Sequence, residues 1–200
     1  MIAKESEVRL KHILSEAWQI LFARIVVGRQ AINKEASMQL QLARILQDLG
    51  KAYCITPDEH FTIELETGIG RQNIDITCQL GESKAAIELK CFRKQSNRAT
   101  DLDMYDVLKD IERLDNYKDF QIKQFVCLTD NSYYAENNNT GHGAAVSSTN
   151  GSTYYANQPI APSWKGKWKS KSRDLDIVLS IDLEFQWVEK EGWFYFEALR

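Results

Sequence analysis

Apolar residues recur at helical spacing from Glu5 to Val27, where Val8, Leu10, Ile13, Leu14, Ala17, Ile20, Leu21 and Ile25 fall on one face. The segment reads as one long helix that Gly28 ends or bends. A second helix is predicted from Asn33, its N-cap, to Leu49, with Met38, Leu40, Leu42, Ile45, Leu46 and Leu49 apolar and Gly50 as C-cap. Beyond Gly50 the pattern changes to β-like runs at His60–Leu65, Asn73–Cys78 and Lys84–Phe92. Their connectors, around Gly68-Ile69-Gly70 and Gly81-Glu82-Ser83, are turn-length, so the three strands should pair as an antiparallel meander.

Helical periodicity returns from Asp101 to Tyr117, burying Met104, Val107, Leu108, Ile111 and Leu114, and Ile122–Thr129 is an apolar strand. A helix between two strands makes a crossover, which predicts that this fourth strand lies parallel to the third. The class expected is α/β with a mixed central sheet. From about 135 to 163 the chain is rich in Asn, Gly, Ser, Thr, Ala and Tyr, which reads as a functional or disordered loop. Period-two alternation resumes at Ile177, Leu179, Ile181, Leu183, Phe185 and Trp187. With a turn at Lys190-Glu191-Gly192 and a return strand at Trp193–Leu199, it predicts a C-terminal β-hairpin over about 176–199. No internal repeat is visible, and the 200 residues are read as one domain with its core at about 33–131.

Composition narrows the class without naming a function. A chain that is 44% hydrophobic and 26% charged is that of a globular protein, not of a disordered or fibrous one. The net charge of -3 removes a general polycation, so any nucleic-acid contact has to be local. Cys54, Cys78, Cys91 and Cys127 show no CxxC or CxH spacing and read as reduced core thiols. The start is too polar for a signal peptide and no stretch is apolar enough for a membrane span. A soluble cytoplasmic protein without a membrane partner is expected.

The candidate chemistry is on the strands. Glu88 and Lys90 point to one face of the third run while Ile87 and Leu89 point to the other, and Asp75 sits between Ile74 and Ile76 one strand earlier. If these strands pair across Gly81, Asp75 and Glu88 approach the same end of the sheet. Two carboxylates with room for water suit Mg²⁺. A Glu-x-Lys triplet alone is uninformative, because residue frequencies of about 6% each produce one by chance in a chain of this length. A cross-strand carboxylate/lysine pair on a solvated face is the plain structural alternative.

In this context the chain resembles the PD-(D/E)XK nuclease superfamily, with the restriction-endonuclease-like fold. The matching residues are Asp75 in Ile74-Asp75-Ile76 and Glu88-Leu89-Lys90, within about Asn33 to Asn131; Asn73-Ile74 stands where a proline often precedes the first Asp. The resemblance implies an αβββαβ core, with Asp75, Glu88 and the Leu89 carbonyl binding Mg²⁺, or Mn²⁺ in its place. It implies that Lys90 orients or deprotonates the attacking water. Glu35, on the helix before the sheet, would hold a second metal or an outer-shell water, with Gln39 one turn on; Glu35 can also be read as a first-turn residue favoured by the helix dipole.

Lys165, Lys167, Lys169, Lys171 and Arg173 alternate with Gly166, Trp168, Ser170 and Ser172, after Trp164. In an extended strand the five cations would share one face about 6.6 Å apart, near the phosphate repeat of a nucleic-acid strand. The tryptophans could then stack on unpaired bases. A lysine-blunted edge strand explains the same pattern. Arg93, Lys94 and Arg98 are a second candidate phosphate contact. His142, in Gly141-His142-Gly143, and His12 and His60 have no supporting partners in the pattern, and Asp101, Asp103, Asp106 and Asp110 read as a capped, solvated helix face. Nucleotide-binding loops, dinucleotide fingerprints and HExxH are absent.

The expectation is a Mg²⁺-dependent endonuclease of restriction or defence type acting on double-stranded DNA, and by analogy a homodimer. The alternatives are a nuclease-like binding or interaction module without catalysis, and a nuclease acting on RNA or on repair and recombination intermediates.

Overall fold

The computed structural model describes residues 5–70, 72–96, 99–136, 141–165 and 173–200. The chain is mixed α/β, with six strands in one mixed sheet. In chain order they are β1 (Phe61–Ile69), β2 (Gln72–Leu80), β3 (Ser83–Phe92) and β4 (Ile122–Thr129), then two C-terminal strands numbered β9 and β10 below. The chain divides into two compact units: 1–91 with 117–126 and 198–200, and 92–116 with 127–197.

In the first unit, α1 (Ser6–Val26) buries Leu10, Ile13, Leu14, Ala17, Trp18 and Leu21 completely, a stripe of 3.6-residue period that adds Trp18 to the expected positions and leaves Val8 exposed. Gly28, at φ 71°, supplies the left-handed turn after its last residues. The second helix, α2 (Glu35–Ala52), differs from expectation at both ends. Its N-cap is Lys34 rather than Asn33, because Ser37 Oγ accepts the backbone N–H groups of Asn33 and Lys34 at 3.1 and 3.2 Å and donates to the Lys34 carbonyl. Gly50 is not the C-cap but lies inside the helix. A Cβ there would come within 2.1 Å of Phe61 Cγ, so glycine serves close packing of α2 on β1.

Strands β1, β2 and β3 form the expected antiparallel meander. Gly81, at φ 58°, gives the tight turn between β2 and β3 its positive first dihedral. Arg9 of α1 is only 2% exposed, and it is held by the Tyr53 carbonyl and by both oxygens of Glu59. Glu59 also accepts the Ile55 N–H at 2.7 Å. The Arg9 guanidinium, followed by that N–H, lowers the Glu59 carboxyl from 4.5 to about 2.

The second unit contains α3 (Thr100–Asp115), the short helix α4 (Tyr133–Glu136), and the two-residue strands β5 (Thr153–Tyr154), β6 (Pro159–Ile160), β7 (Ile177–Val178) and β8 (Leu183–Glu184). It also holds β9 (Val188–Lys190) and most of β10 (Trp193–Leu199). The sheet order is β1-β2-β3-β4-β10-β9.

The C-terminal hairpin is shorter than the alternation suggests. Only β9 and β10 form it, across Glu191 and Gly192, both at positive φ. The stretch 176–187 pairs instead with the polar segment before it, β7 with β6 and β8 with β5. Residues 135–163 therefore contain short elements where the composition suggested a loop.

The acidic run of α3 is not a solvated face. Asp103 and Asp110 are buried, and Asp103 accepts the Tyr134 hydroxyl at 2.7 Å. Asp106 binds Arg173 through both oxygens. Glu112 and Asp115 accept the backbone N–H groups of Val178 and Ser180, so donors that a two-residue strand leaves without ladder partners end on carboxylates. All four cysteines are free thiols, with Cys78 and Cys127 buried. Among the described residues no helix is long and apolar enough to cross a membrane.

Two measurements check this packing. Gly50→Ala should lower stability to denaturant by about 1–3 kcal/mol through overlap with Phe61, despite the gain of about 1 kcal/mol that Ala has over Gly inside a helix. Because its folded pKa is depressed, Glu59 stabilises the fold above pH 4.5 and loses that contribution as pH falls to about 2. The stability gap between wild type and Glu59→Gln should therefore be full at neutral pH and shrink across that window in pH-dependent urea unfolding.

Candidate functional site

Asp75 lies where strand pairing lapses on both sides. The β2/β3 register runs from Leu80↔Ser83 to Ile76↔Ile87 and stops; continued by one step it would set Asp75 opposite Glu88. On the other side the β1/β2 register passes from Leu65↔Ile76 to Thr67↔Ile74, omitting Glu66 and Asp75. Glu66 is the cause there, because its φ of 54° is left-handed, a strained conformation for a residue with a Cβ.

Side chains take over the backbone bonds at this break. In the alternating ladder, Leu89 N–H would face Ile74; instead it donates to Asp75 Oδ2 at 2.7 Å. The Asp75 carbonyl accepts Gln39 Nε2 of α2 at 2.7 Å, and the same amide nitrogen donates to Glu66 Oε1 at 2.8 Å. The twist at Glu66 turns its carboxylate toward α2, while Glu64 lines the other face of the sheet with Thr62, Thr77 and Gln79.

The remaining residues expected at the site adjoin this break. Lys90 Nζ lies 3.6 Å from Glu35 Oε2 and donates to the Leu89 carbonyl at 3.2 Å. Glu88 is 1% exposed, whereas Lys90 and Glu35 are 18% and 42% exposed at their side chains. Thus Glu35, Gln39, Glu66, Asp75, Leu89 and Lys90 are joined by hydrogen bonds or ion pairs at one end of β2 and β3. Gln39 follows from the i, i+4 spacing to Glu35. Glu66 has no such signal, because strict alternation assigns it to the face of Glu64.

Among the described residues no three His, Cys, Asp or Glu side chains converge as a ready metal cage. What is present is Asp75 and Glu88 on adjacent strands, Glu88 buried, with Lys90 two residues further along β3 and its ammonium against Glu35.

The basic positions are placed differently. Lys165 is bound to Asp176 at 2.6 Å, and Arg173 forks onto Asp106. Trp164 cannot stack on a base: it is fully buried beside Tyr105, and its indole N–H donates to the Arg173 carbonyl at 2.7 Å. Arg93 binds Asp130 at 2.8 Å and stacks over Trp193, while the Lys94 N–H donates to Asp130. These contacts engage the Arg93 guanidinium and the Lys94 backbone at the end of β3, while the Lys94 side chain is exposed. Lys167, Trp168, Lys169, Lys171, Arg98 and the His142 side chain lie outside the described residues.

No family model, curated protein or solved structure matches this chain.

The two roles of Asp75 can be separated. Asp75→Asn keeps an oxygen for the Leu89 N–H and should stay within about 1 kcal/mol of wild type, whereas Asp75→Ala should cost about 1–3 kcal/mol by orphaning that donor. Urea denaturation of the two variants measures the difference.

Proposed function

We propose that the chain is a Mg²⁺-dependent endonuclease hydrolysing DNA phosphodiester bonds, built on a restriction-endonuclease-like αβββαβ core at about 33–131. The observation that supports this reading is the break at Asp75. Asp75 sits where the β1/β2 ladder is opened by a strained residue, and the β2/β3 register, continued by one step, would set Glu88 opposite it, two residues before Lys90; backbone strain of this kind concentrates at functional sites.

The donor chemistry fits Mg²⁺, which takes one or two protein carboxylates and keeps several waters, so a third acidic ligand is not needed. Asp75, Glu88 and the Leu89 carbonyl would hold the ion. When bound, it would polarise the scissile phosphate and lower the pKa of a coordinated water. Lys90 carries its own part: an ammonium 18% exposed can orient the attacking water and offset charge that develops on the phosphate. Glu35, paired with Lys90, acts in this reading as a positioning residue for the ammonium. Gln39 holds the Asp75 backbone from α2 while the Leu89 N–H orients its carboxylate.

Double-stranded DNA is the proposed substrate. The partnered state of Arg93, Lys165 and Arg173 transfers the proposed phosphate contacts to Lys167, Lys169 and Lys171, with Trp168 among them.

The purified chain should nick or linearise DNA with Mg²⁺ or Mn²⁺ and lose all cleavage in EDTA. Asp75→Asn, Glu88→Gln and Lys90→Met should each reduce the rate by about 10²–10⁴-fold, with circular dichroism unchanged and saturable Mn²⁺ binding lost in the first two. Cleavage that survives these substitutions or excess EDTA rules the site out.

A further inference from the structure

We infer that the outer edge of β1, with the adjoining face of α2, is the contact surface for a second copy of this chain. The inference does not depend on the nuclease reading. β1 begins the strand order, so among the described residues one row of its backbone groups has no strand beside it. Proteins blunt such edges with charged side chains, above all lysine, with proline or with a bulge. From Phe61 to Leu65, β1 has only the single charge of Glu64, without lysine, proline or bulge, and its distortion begins only at Glu66. Alongside it an apolar cavity of about 390 Å³ is lined by Leu40, Ala43, Ile63 and Leu65, with Arg44 and Asp48 at its rim. Leu40 and Leu65 are 44% and 43% exposed.

The register of β1 selects the occupant. Ile69↔Gln72 closes the β1/β2 hairpin, so the odd-numbered residues of β1 form the hydrogen-bonded pairs with β2, and Thr62 and Glu64 turn their N–H and C=O groups outward. An antiparallel copy related by a two-fold axis through Ile63 sets Thr62 against the second copy's Glu64, and Glu64 against its Thr62. Phe61 then faces the second copy's Leu65 on the helix-covered side. Axes through Glu64 or Leu65 would instead oppose Glu64 to itself or to Glu66, a repulsive like-charge pairing.

The lengths of helix and strand give the same axis independently. α2 contacts β1 at two points, Gly50 against Phe61 and Gln39 against Glu66, so helix and strand run in opposite directions. The helical rise from Gln39 to Gly50 and the strand rise from Phe61 to Glu66 are both about 16 Å. On that scale Ile63 stands level with about residue 46 of α2, midway between Arg44 and Asp48. The two-fold through Ile63 therefore carries Arg44 toward the second copy's Asp48 and Asp48 toward its Arg44. Both are exposed, and among the described residues neither forms an ion pair within its own chain. Backbone register, apolar face and charge thus become self-complementary about one axis, the requirement of an isologous interface.

Sedimentation velocity of the full chain over a concentration series should show a monomer–dimer equilibrium. Arg44→Glu, at an exposed helix position, should weaken dimerisation by about tenfold or more, and the exchanged variant Arg44→Glu/Asp48→Arg should restore it. Ile63→Cys should form a 63–63 disulfide under mild oxidation, because a non-hydrogen-bonded antiparallel pair brings its Cα atoms to about 4.5 Å. A monomer at every concentration, a dimer indifferent to Arg44→Glu, or a dimer in which peptide mapping finds no 63–63 disulfide overturns the proposal.

Discussion

The need to satisfy backbone hydrogen bonds where β2 parts from β3 governs the architecture of the candidate site. A ladder that simply ended at Ile76↔Ile87 would leave the Leu89 N–H, on a residue with no exposed surface, without its acceptor. The Asp75 carboxylate supplies that acceptor, and in doing so its orientation is fixed by the fold. Gln39 performs the complementary service for the Asp75 carbonyl. A carboxylate at a gap in the ladder would otherwise sample several rotamers; one bound on both its side chain and its backbone is preorganised, which is what ion or phosphate chemistry requires of it.

This constraint extends through α2. The close approach at Gly50 and Phe61 sets the height of the helix over β1, and the equal rise of helix and strand between the two contact points brings Gln39 to Glu66 and Asp75 without bending either element. The first turn of α2 then carries Glu35 to Lys90. A single glycine more than two helical turns away thus belongs to the same mechanical unit as the candidate chemistry. The left-handed Glu66 is where the unit is strained, and its carboxylate meets the amide that also secures Asp75.

Long-period features of the sequence were legible: both N-terminal helices, the three-strand meander, α3 and β4 follow from spacing alone, and Asp75, Glu88 and Lys90 stand out because charge interrupts apolar strands. Features set by contacts distant in sequence were not. Gly50 looks like a helix stop until Phe61 is seen against it. Ile177 to Trp187 alternates as a strand should, yet its donors are divided among α3 carboxylates and the 150–160 segment, so only two dipeptides of it qualify as strand. Glu66 could not be foreseen, since nothing in Leu65-Glu66-Thr67 demands a positive φ. The tryptophan before the lysine-rich stretch carries no local sign of its burial, which involves Tyr105, about sixty residues earlier.

Carboxylates as surrogate backbone acceptors connect these observations with the net charge. Glu59 takes the N–H of Ile55, Asp75 that of Leu89, Asp130 that of Lys94, Glu112 that of Val178, Asp115 that of Ser180 and Asp182 that of Ala156. Each satisfies a donor where regular pairing ends, and four also face a cation or a second polar group: Arg9 for Glu59, Arg93 for Asp130, Lys109 for Glu112 and the Ser180 hydroxyl for Asp115. Acidic residues are therefore consumed by the fold at its irregular places, and an overall charge of -3 says little about what the surface attracts. What distinguishes Asp75 within this set is its neighbourhood. Its partner is the Leu89 amide, which lies between Glu88 and Lys90 in the chain, so the bond that completes the backbone also fixes a carboxylate beside the segment of β3 that carries another carboxylate and an ammonium.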